Sequence, residues 1–123
     1  MATQTLSGTV NRTDTTESTS WADLAGPGFE IETTETCTIL VQFFSFARLS
    51  DEEGSLHMRA TVDGRAVLPG AMQFSGTTNT TLSYSGVRYS VRPGSHSVAI
   101  QWKVTRGTAW LSRRINTVWV IPE

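Results

Sequence analysis

The sequence has little cysteine. A single residue, Cys37, stands in the 123-residue chain, which excludes an internal disulfide and any zinc site built from several thiolates. The four residues after it read Thr-Ile-Leu-Val. Because such a run is typical of a buried strand, we predict that Cys37 is a buried free thiol and not a nucleophile.

An excess of one charge is also missing, as are long apolar runs. Ten lysines and arginines stand against eleven aspartates and glutamates, and Arg113-Arg114 is too small a basic cluster for a nucleic-acid site. No stretch approaches the roughly 20 apolar residues of a membrane span, and the N-terminal residues lack the pattern of a secretion signal. We therefore predict no nucleic-acid partner, no membrane partner and no export.

Helical periodicity is absent too. No window sustains apolar residues at i, i+3, i+4 and i+7, whereas the 19 threonines favour strands. Glycine or proline turns recur about every 8 to 12 residues. The sequence predicts an all-β chain with essentially no helix, a single-domain antiparallel jelly-roll sandwich of about eight strands. Residues 21–123 form this sandwich, and a Thr-rich arm or edge strand, residues 1–20, precedes it.

The hydrophobic pattern distinguishes two kinds of strand. Residues 38–47 and 115–121 are apolar on both phases, which predicts central strands with both faces covered. Residues 97–104 alternate cleanly and predict a strand with one wet face. Asp63-Gly64 predicts a tight hairpin turn, and Gly86, where the pattern of the surrounding strand breaks, predicts a β-bulge.

Groups able to carry catalysis or hold a metal are sparse. No G-x-S-x-G elbow occurs, and His57 and His96 are predicted to be surface residues. The acidic residues 51–53 lack the alternate spacing of a calcium loop. Glu30 and Glu32 are predicted to share one wet strand face. We predict no catalytic residue, no metal and no cofactor, and hence a protein that is not an enzyme.

Seven short strand and turn motifs follow one another along nearly the whole chain. They are TSWADL at 19–24, ILVQFFSF at 39–46, RATVDG at 59–64, RPGSHSV at 92–98, IQW at 100–102, GTA at 107–109 and RINTV at 114–118. Their order resembles small jelly-roll domains of bacteriophage virion proteins. Those domains are similar in architecture to the trimeric tumour-necrosis-factor and complement C1q-like folds.

The resemblance implies a particular sheet and a particular interface. In such folds the first, third, sixth and last strands form one sheet, whose outer face packs around a threefold axis. Within the third strand, Ile39, Val41 and Phe43 form the more uniformly apolar phase, which we assign to the core. The opposite phase and one tryptophan of the last strand are then the predicted trimer interface: Leu40, Gln42, Phe44, Phe46 and Trp119.

We expect a non-enzymatic virion protein, made in the host cytoplasm, that forms a homotrimer. It would decorate or cement a phage capsid or form a tail or fibre module, with the major capsid or tail protein as its partner. Leu6 and Val10 in the N-terminal arm are the predicted contacts to the particle. The alternative is a carbohydrate- or receptor-binding module that uses four aromatic residues: Trp21, Trp110, Tyr84 and Tyr89.

Overall fold

Two antiparallel sheets face each other across one core in the computed structural model, which describes residues 1–26 and 28–123. No helix occurs within these ranges, so the predicted all-β sandwich is confirmed. The strands are β1 (Gln4–Val10), β2 (Asp14–Thr16), β3 (Ala22–Asp23), β4 (Phe29–Thr33), β5 (Cys37–Leu49), β6 (Leu56–Val62), β7 (Arg65–Ala66), β8 (Met72–Phe74), β9 (Thr80–Val91), β10 (Gly94–Val104) and β11 (Ala109–Pro122).

The strands are divided between the sheets in jelly-roll order. Sheet I has the order β1-β11-β5-β9, with β2 also paired to β11. Sheet II has the order β3-β10-β6-β7, with β4 paired to β10 and β8 paired to β6. Counted among the eight predicted strands, the first, third, sixth and last correspond to β1, β5, β9 and β11. These strands form sheet I, as the resemblance implied.

The prediction of about eight strands differs from the eleven found in residues 1–26 and 28–123 because three strand positions are each split in two. Both β1 and β2 pair with β11, both β3 and β4 pair with β10, and both β7 and β8 pair with β6. On β11 the split coincides with a bulge, where Leu111 lies opposite Ala47 but Arg114 lies opposite Ser45. Two residues of β11 thus face one of β5, which bends the strand and interrupts its pairing.

The core is built from alternate residues of the long strands. On β5, Ile39, Val41 and Phe43 are at most 1% exposed, while Phe44 is 40% exposed on the opposite face. The prediction that Ile39, Val41 and Phe43 face the core is therefore confirmed. Cys37 is fully buried, as predicted, and burial raises the pKa of its thiol.

The turn predicted at Asp63-Gly64 is present, whereas the bulge predicted at Gly86 lies at another position of β9. Asp63 and Gly64 have φ values of 52° and 80°, and they connect β6 to β7 as a tight turn. The bulge in β9 does not lie at Gly86, because the register shifts between residues 88 and 91, where Ser90 has a φ of 55°. Gly86 is needed for space, since a Cβ there would collide with the side chain of Val67.

A buried arginine joins the N-terminal segment to sheet I. Arg114 is fully buried, and its guanidinium donates to the Asp14 carboxylate at 2.5 Å and to the carbonyls of Ala25 at 2.5 Å and Gly26 at 3.1 Å. Burial raises the pKa of Asp14, but hydrogen bonds from Arg114 and Arg12 outweigh it and lower the pKa overall. The sequence indicated only a small basic cluster at this position.

We expect Phe43→Ala to lower the free energy of unfolding by about 3 to 5 kcal/mol, because it leaves a cavity between the two sheets. Chemical denaturation measures this value. Tyr89→Ala is the control, since that ring is 61% exposed and its loss should change stability by no more than about 0.5 kcal/mol. Equal effects of the two variants would contradict the placement of Phe43 in the core.

Asp14→Ala should lower the free energy of unfolding by about 3 kcal/mol, because it leaves the Arg114 cation buried without its carboxylate. Arg12→Ala is a matched control, since Arg12 bonds the same carboxylate from a side chain that is 61% exposed, and its loss should cost less than about 1 kcal/mol. Denaturation at neutral pH compares the two. A loss for Arg12→Ala as large as that for Asp14→Ala would show that the buried pair is unimportant.

Candidate functional site

The outer face of sheet I is apolar at its centre. β5 and β11 lie side by side there, and Phe44, Ile115 and Ile121 are between 38% and 44% exposed. Apolar side chains of this size usually cover one another or a partner. Leu40 and Trp119 are half-buried neighbours on the same face.

The pairing register brings the predicted interface residues together in rows across the two strands. Trp119 lies opposite Leu40, Thr117 lies opposite Gln42, and Ile115 lies opposite Phe44. The rings of Phe44 and Phe46 meet edge to face with their centroids 5.7 Å apart. All five residues of the predicted trimer interface are thus on one continuous surface: Leu40, Gln42, Phe44, Phe46 and Trp119.

Hydroxyl side chains flank this surface on both neighbouring strands. Thr5, Ser7 and Thr9 of β1 and Ser83 and Ser85 of β9 occupy the same rows and are exposed. We call the three rows that contain Leu40, Gln42 and Phe44 the central rows. Among the described residues, the central rows carry no charged side chain. An uncharged face with an apolar centre and a polar rim has the composition of a protein–protein interface.

The outer face of sheet II is different, because charged side chains cover it. Glu30 and Glu32 of β4 accept hydrogen bonds from Ser97 at 2.9 Å and Ser95 at 3.3 Å. Arg59 of β6 donates to Gln101 at 2.8 Å. Such a face is suited to water, and the contrast identifies sheet I as the candidate site for association.

The four aromatic residues of the alternative prediction do not form one sugar site. Tyr84 is wrong as a candidate, because it is 2% exposed and its hydroxyl donates to the Gly70 carbonyl inside the fold. Trp110 belongs to sheet I and has the Arg48 guanidinium 3.9 Å above its ring. Tyr89 is exposed on β9.

Trp21 lies on the opposite side of the sandwich, beside sheet II. Arg59 and Lys103 approach its ring to 4.3 and 4.7 Å. Cation–π contacts of this kind occupy the ring surface on which a sugar would stack.

The predicted particle contacts are part of sheet I. Leu6 and Val10 belong to β1, which pairs with β11 over seven residues. Leu6 packs against the core, and Val10 is half-buried beside Gly26. The side chains of both residues therefore point into the sandwich, and contact through them would require β1 to leave the sheet.

The polar clusters are engaged in ion pairs within the fold. Asp51 and Glu53 bind Arg106 at 2.7 and 3.1 Å. Within the described ranges, no group of three or more His, Cys, Asp or Glu residues is arranged to hold a metal. The same part of the chain contains no helix able to cross a membrane.

His96 connects two turns at one end of sheet II. Its Nδ1 lies 2.7 Å from a carboxylate oxygen of Asp63, and its Nε2 lies 2.6 Å from the carbonyl oxygen of Arg92. Both partners are acceptors, so the doubly protonated ring satisfies them best. The hydrogen bond to Asp63 accordingly raises the pKa of His96.

Comparison with known proteins identifies the fold. No protein-family model and no curated protein matches the sequence. The VP2 subviral particle of infectious bursal disease virus superposes with a TM-score of 0.64 at 8% identity, over 98% of this chain and 33% of that one. The EclA C-terminal domain, a sugar-binding protein, gives 0.54 at 8% identity, over 86% of this chain and 78% of that one. At such identities the similarity shows only a jelly-roll β-sandwich, and the chain spans about a third of VP2.

The His96–Asp63 pair should stabilise the fold most between the ordinary pKa values of the two groups, 3.8 and 6.5. Burial raises the pKa of Asp63, but the bonds from His96 and Ser97 lower it overall. The raised pKa of His96 contributes stability that is complete below 6.5 and is lost as pH rises through the folded value. The lowered pKa of Asp63 contributes stability that is lost as pH falls below 3.8.

Thermal unfolding of His96→Gln and Asp63→Asn tests this dependence. Both variants should lose more stability relative to the native sequence at about pH 5.5 than at about pH 8.5, because they remove the same charged pair. Asn retains an oxygen that can accept from the Ser97 N–H, which isolates the charge effect. A loss that is the same at both pH values would contradict the pairing.

Proposed function

We propose that this chain is a non-enzymatic structural protein of a bacteriophage virion. It forms a homotrimer through the outer face of sheet I and decorates or cements a capsid, or forms a tail or fibre module. The single observation that carries the proposal is the uncharged apolar surface along the central rows, where Phe44 and Ile115 remain 40% and 44% exposed.

Burial of this surface is the driving force for the trimer. Removing apolar side chains from water contributes about 25 cal/mol for each Å² covered. The hydroxyl rim and the Gln42 amide are able to hydrogen-bond between copies, which lowers the cost of covering these polar groups. No like charges oppose one another in these rows, and hence self-association has no electrostatic cost there.

The engagement of His96 and of the acidic residues Asp51 and Glu53 within the fold supports the non-enzymatic part of the proposal. Both ring nitrogens of His96 are taken up by Asp63 and a carbonyl. Asp51 and Glu53 are held by Arg106. These groups serve the fold, which agrees with a role in assembly.

A carbohydrate- or receptor-binding module is the second candidate, and the exposed Tyr89 ring favours it. Cryo-imaging and mass spectrometry of the parent particle test the assembly role. A virion protein is present in many copies at fixed capsid or tail positions, whereas absence from purified particles would refute the first proposal.

Phe44→Glu should convert the trimer into folded monomers, because three like charges would meet near one axis. Size exclusion coupled to light scattering measures the mass, and circular dichroism checks the fold. Gln73→Glu is the matched control: it adds the same charge on an exposed position of β8 in sheet II, and it should remain a trimer. A native protein that is monomeric at micromolar concentration would disprove the trimer.

A further inference from the structure

A basic groove runs along the edge of the sandwich where β9 and β7 lie. It consists of two adjoining hollows of 610 and 410 Å³ that share Arg65 and Arg88 in their walls. Hollows of this size accommodate groups larger than a single small ion. We call the two hollows together the arginine groove, and its walls include Arg65, Leu68, Arg88, Tyr89, Arg92 and His96.

The arginines of the groove differ from most others in the chain. Of the nine arginines, five contact a carboxylate, an amide or an aromatic ring: Arg12, Arg48, Arg59, Arg106 and Arg114. Within residues 1–26 and 28–123, the guanidinium groups of the other four form no hydrogen bond or ion pair. Three of those four, Arg65, Arg88 and Arg92, line the groove.

Little negative charge balances the three arginines of the groove. Asp63 is the one carboxylate among the described lining residues, and it already accepts bonds from His96 and from the Ser97 N–H at 2.8 Å. Glu123 lies next to the groove but accepts from the Ser90 N–H and from Thr38. Arg88 helps to lower the pKa of Asp63 but forms no ion pair with it. A chain with a net charge of −1 thus places three arginines without an ion pair at one site. Planar guanidinium groups arranged in this way bind carboxylates by paired hydrogen bonds.

Part of the backbone of the edge strand beside the groove is already engaged. The N–H and C=O of Val87 are bonded to Leu68 at 2.8 and 2.9 Å, and the Ser90 N–H is taken by Glu123. The positive φ of Ser90 breaks the regular ladder as well. These bonds favour recognition at this edge by side chains over added strand pairing.

The exposed aromatic and apolar side chains supply the remaining contact surface. Tyr89 and Leu68 are 61% and 60% exposed and line the same hollow as Arg65 and Arg88. A tyrosine ring combines a flat apolar face with a polar tip, which suits a sugar ring that is apolar on one face and bears hydroxyls at its edge.

We propose that the arginine groove binds an acidic polysaccharide. Arg65, Arg88 and Arg92 pair with carboxylates on successive sugars, and one sugar ring stacks on Tyr89. The site deepens the carbohydrate-binding candidate by naming its ligand class and its residues. It does not depend on the assembly role, because every residue that forms it belongs to one copy of the chain and lies outside the central rows.

Titration calorimetry with oligogalacturonate tests the proposal. The native protein should bind this probe, and binding should weaken when its carboxylates are methyl-esterified and when salt rises from about 50 to about 150 mM. Arg65→Gln with Arg92→Gln should weaken binding by at least about tenfold, because two charge-assisted contacts are lost. Tyr89→Ala should weaken it several-fold.

Arg113→Gln is the matched control, since Arg113 is exposed and unpaired but lies on β11 away from the groove. It should bind like the native protein. Thermal unfolding of each variant confirms that it is folded. Phe44→Glu should also retain binding of a short oligogalacturonate, which occupies one groove at a time, so that failure of the trimer and failure of this site are told apart.

Three results would overturn the site. They are no binding of oligogalacturonate, equal weakening by Arg113→Gln, and equal or tighter binding of polyglutamate or single-stranded DNA. The last result would assign the groove to an acidic peptide or a nucleic acid instead.

Discussion

The pairing of β5 with β11 is the constraint on which the rest of the structure depends. Twelve residue pairs join these strands at the centre of sheet I, and the pleat sends successive side chains to opposite faces. Because both strands are apolar on both phases, one set of residues closes the core and the other forms the apolar outer face. A shift of the register by one residue would exchange the two sets, so the core and the candidate interface are specified together.

Local pattern predicted this arrangement because strand periodicity is a property of neighbouring residues. Phe43 and Phe44 differ in exposure as alternation requires, with 1% and 40%. Asp63-Gly64 likewise forms its turn from its own backbone preferences. These features need no knowledge of what lies far away in the sequence.

Arg114 and the arginine groove could not be predicted in this way, because their partners are distant in sequence. Arg114 meets Asp14 and the 25–26 turn, about 90 to 100 residues away. Tyr84 was misplaced for a related reason. Tyr84 shares the buried phase of Leu82 and Gly86, and its hydroxyl bonds the Gly70 carbonyl, which belongs to a different part of the chain.

The two proposed surfaces are separated by charge, and this separation has a consequence for binding strength. The central rows are uncharged, whereas unpaired arginines concentrate at the β9 edge. A trimer that buries the central rows therefore carries three grooves, one on each copy. Once one groove holds a polymer, the others meet further sugars at high effective concentration, which can raise the overall affinity by about 10² to 10⁴ without any new contact. A low affinity of each single groove is then sufficient for tight binding of a polymer, because the trimer presents three grooves to it.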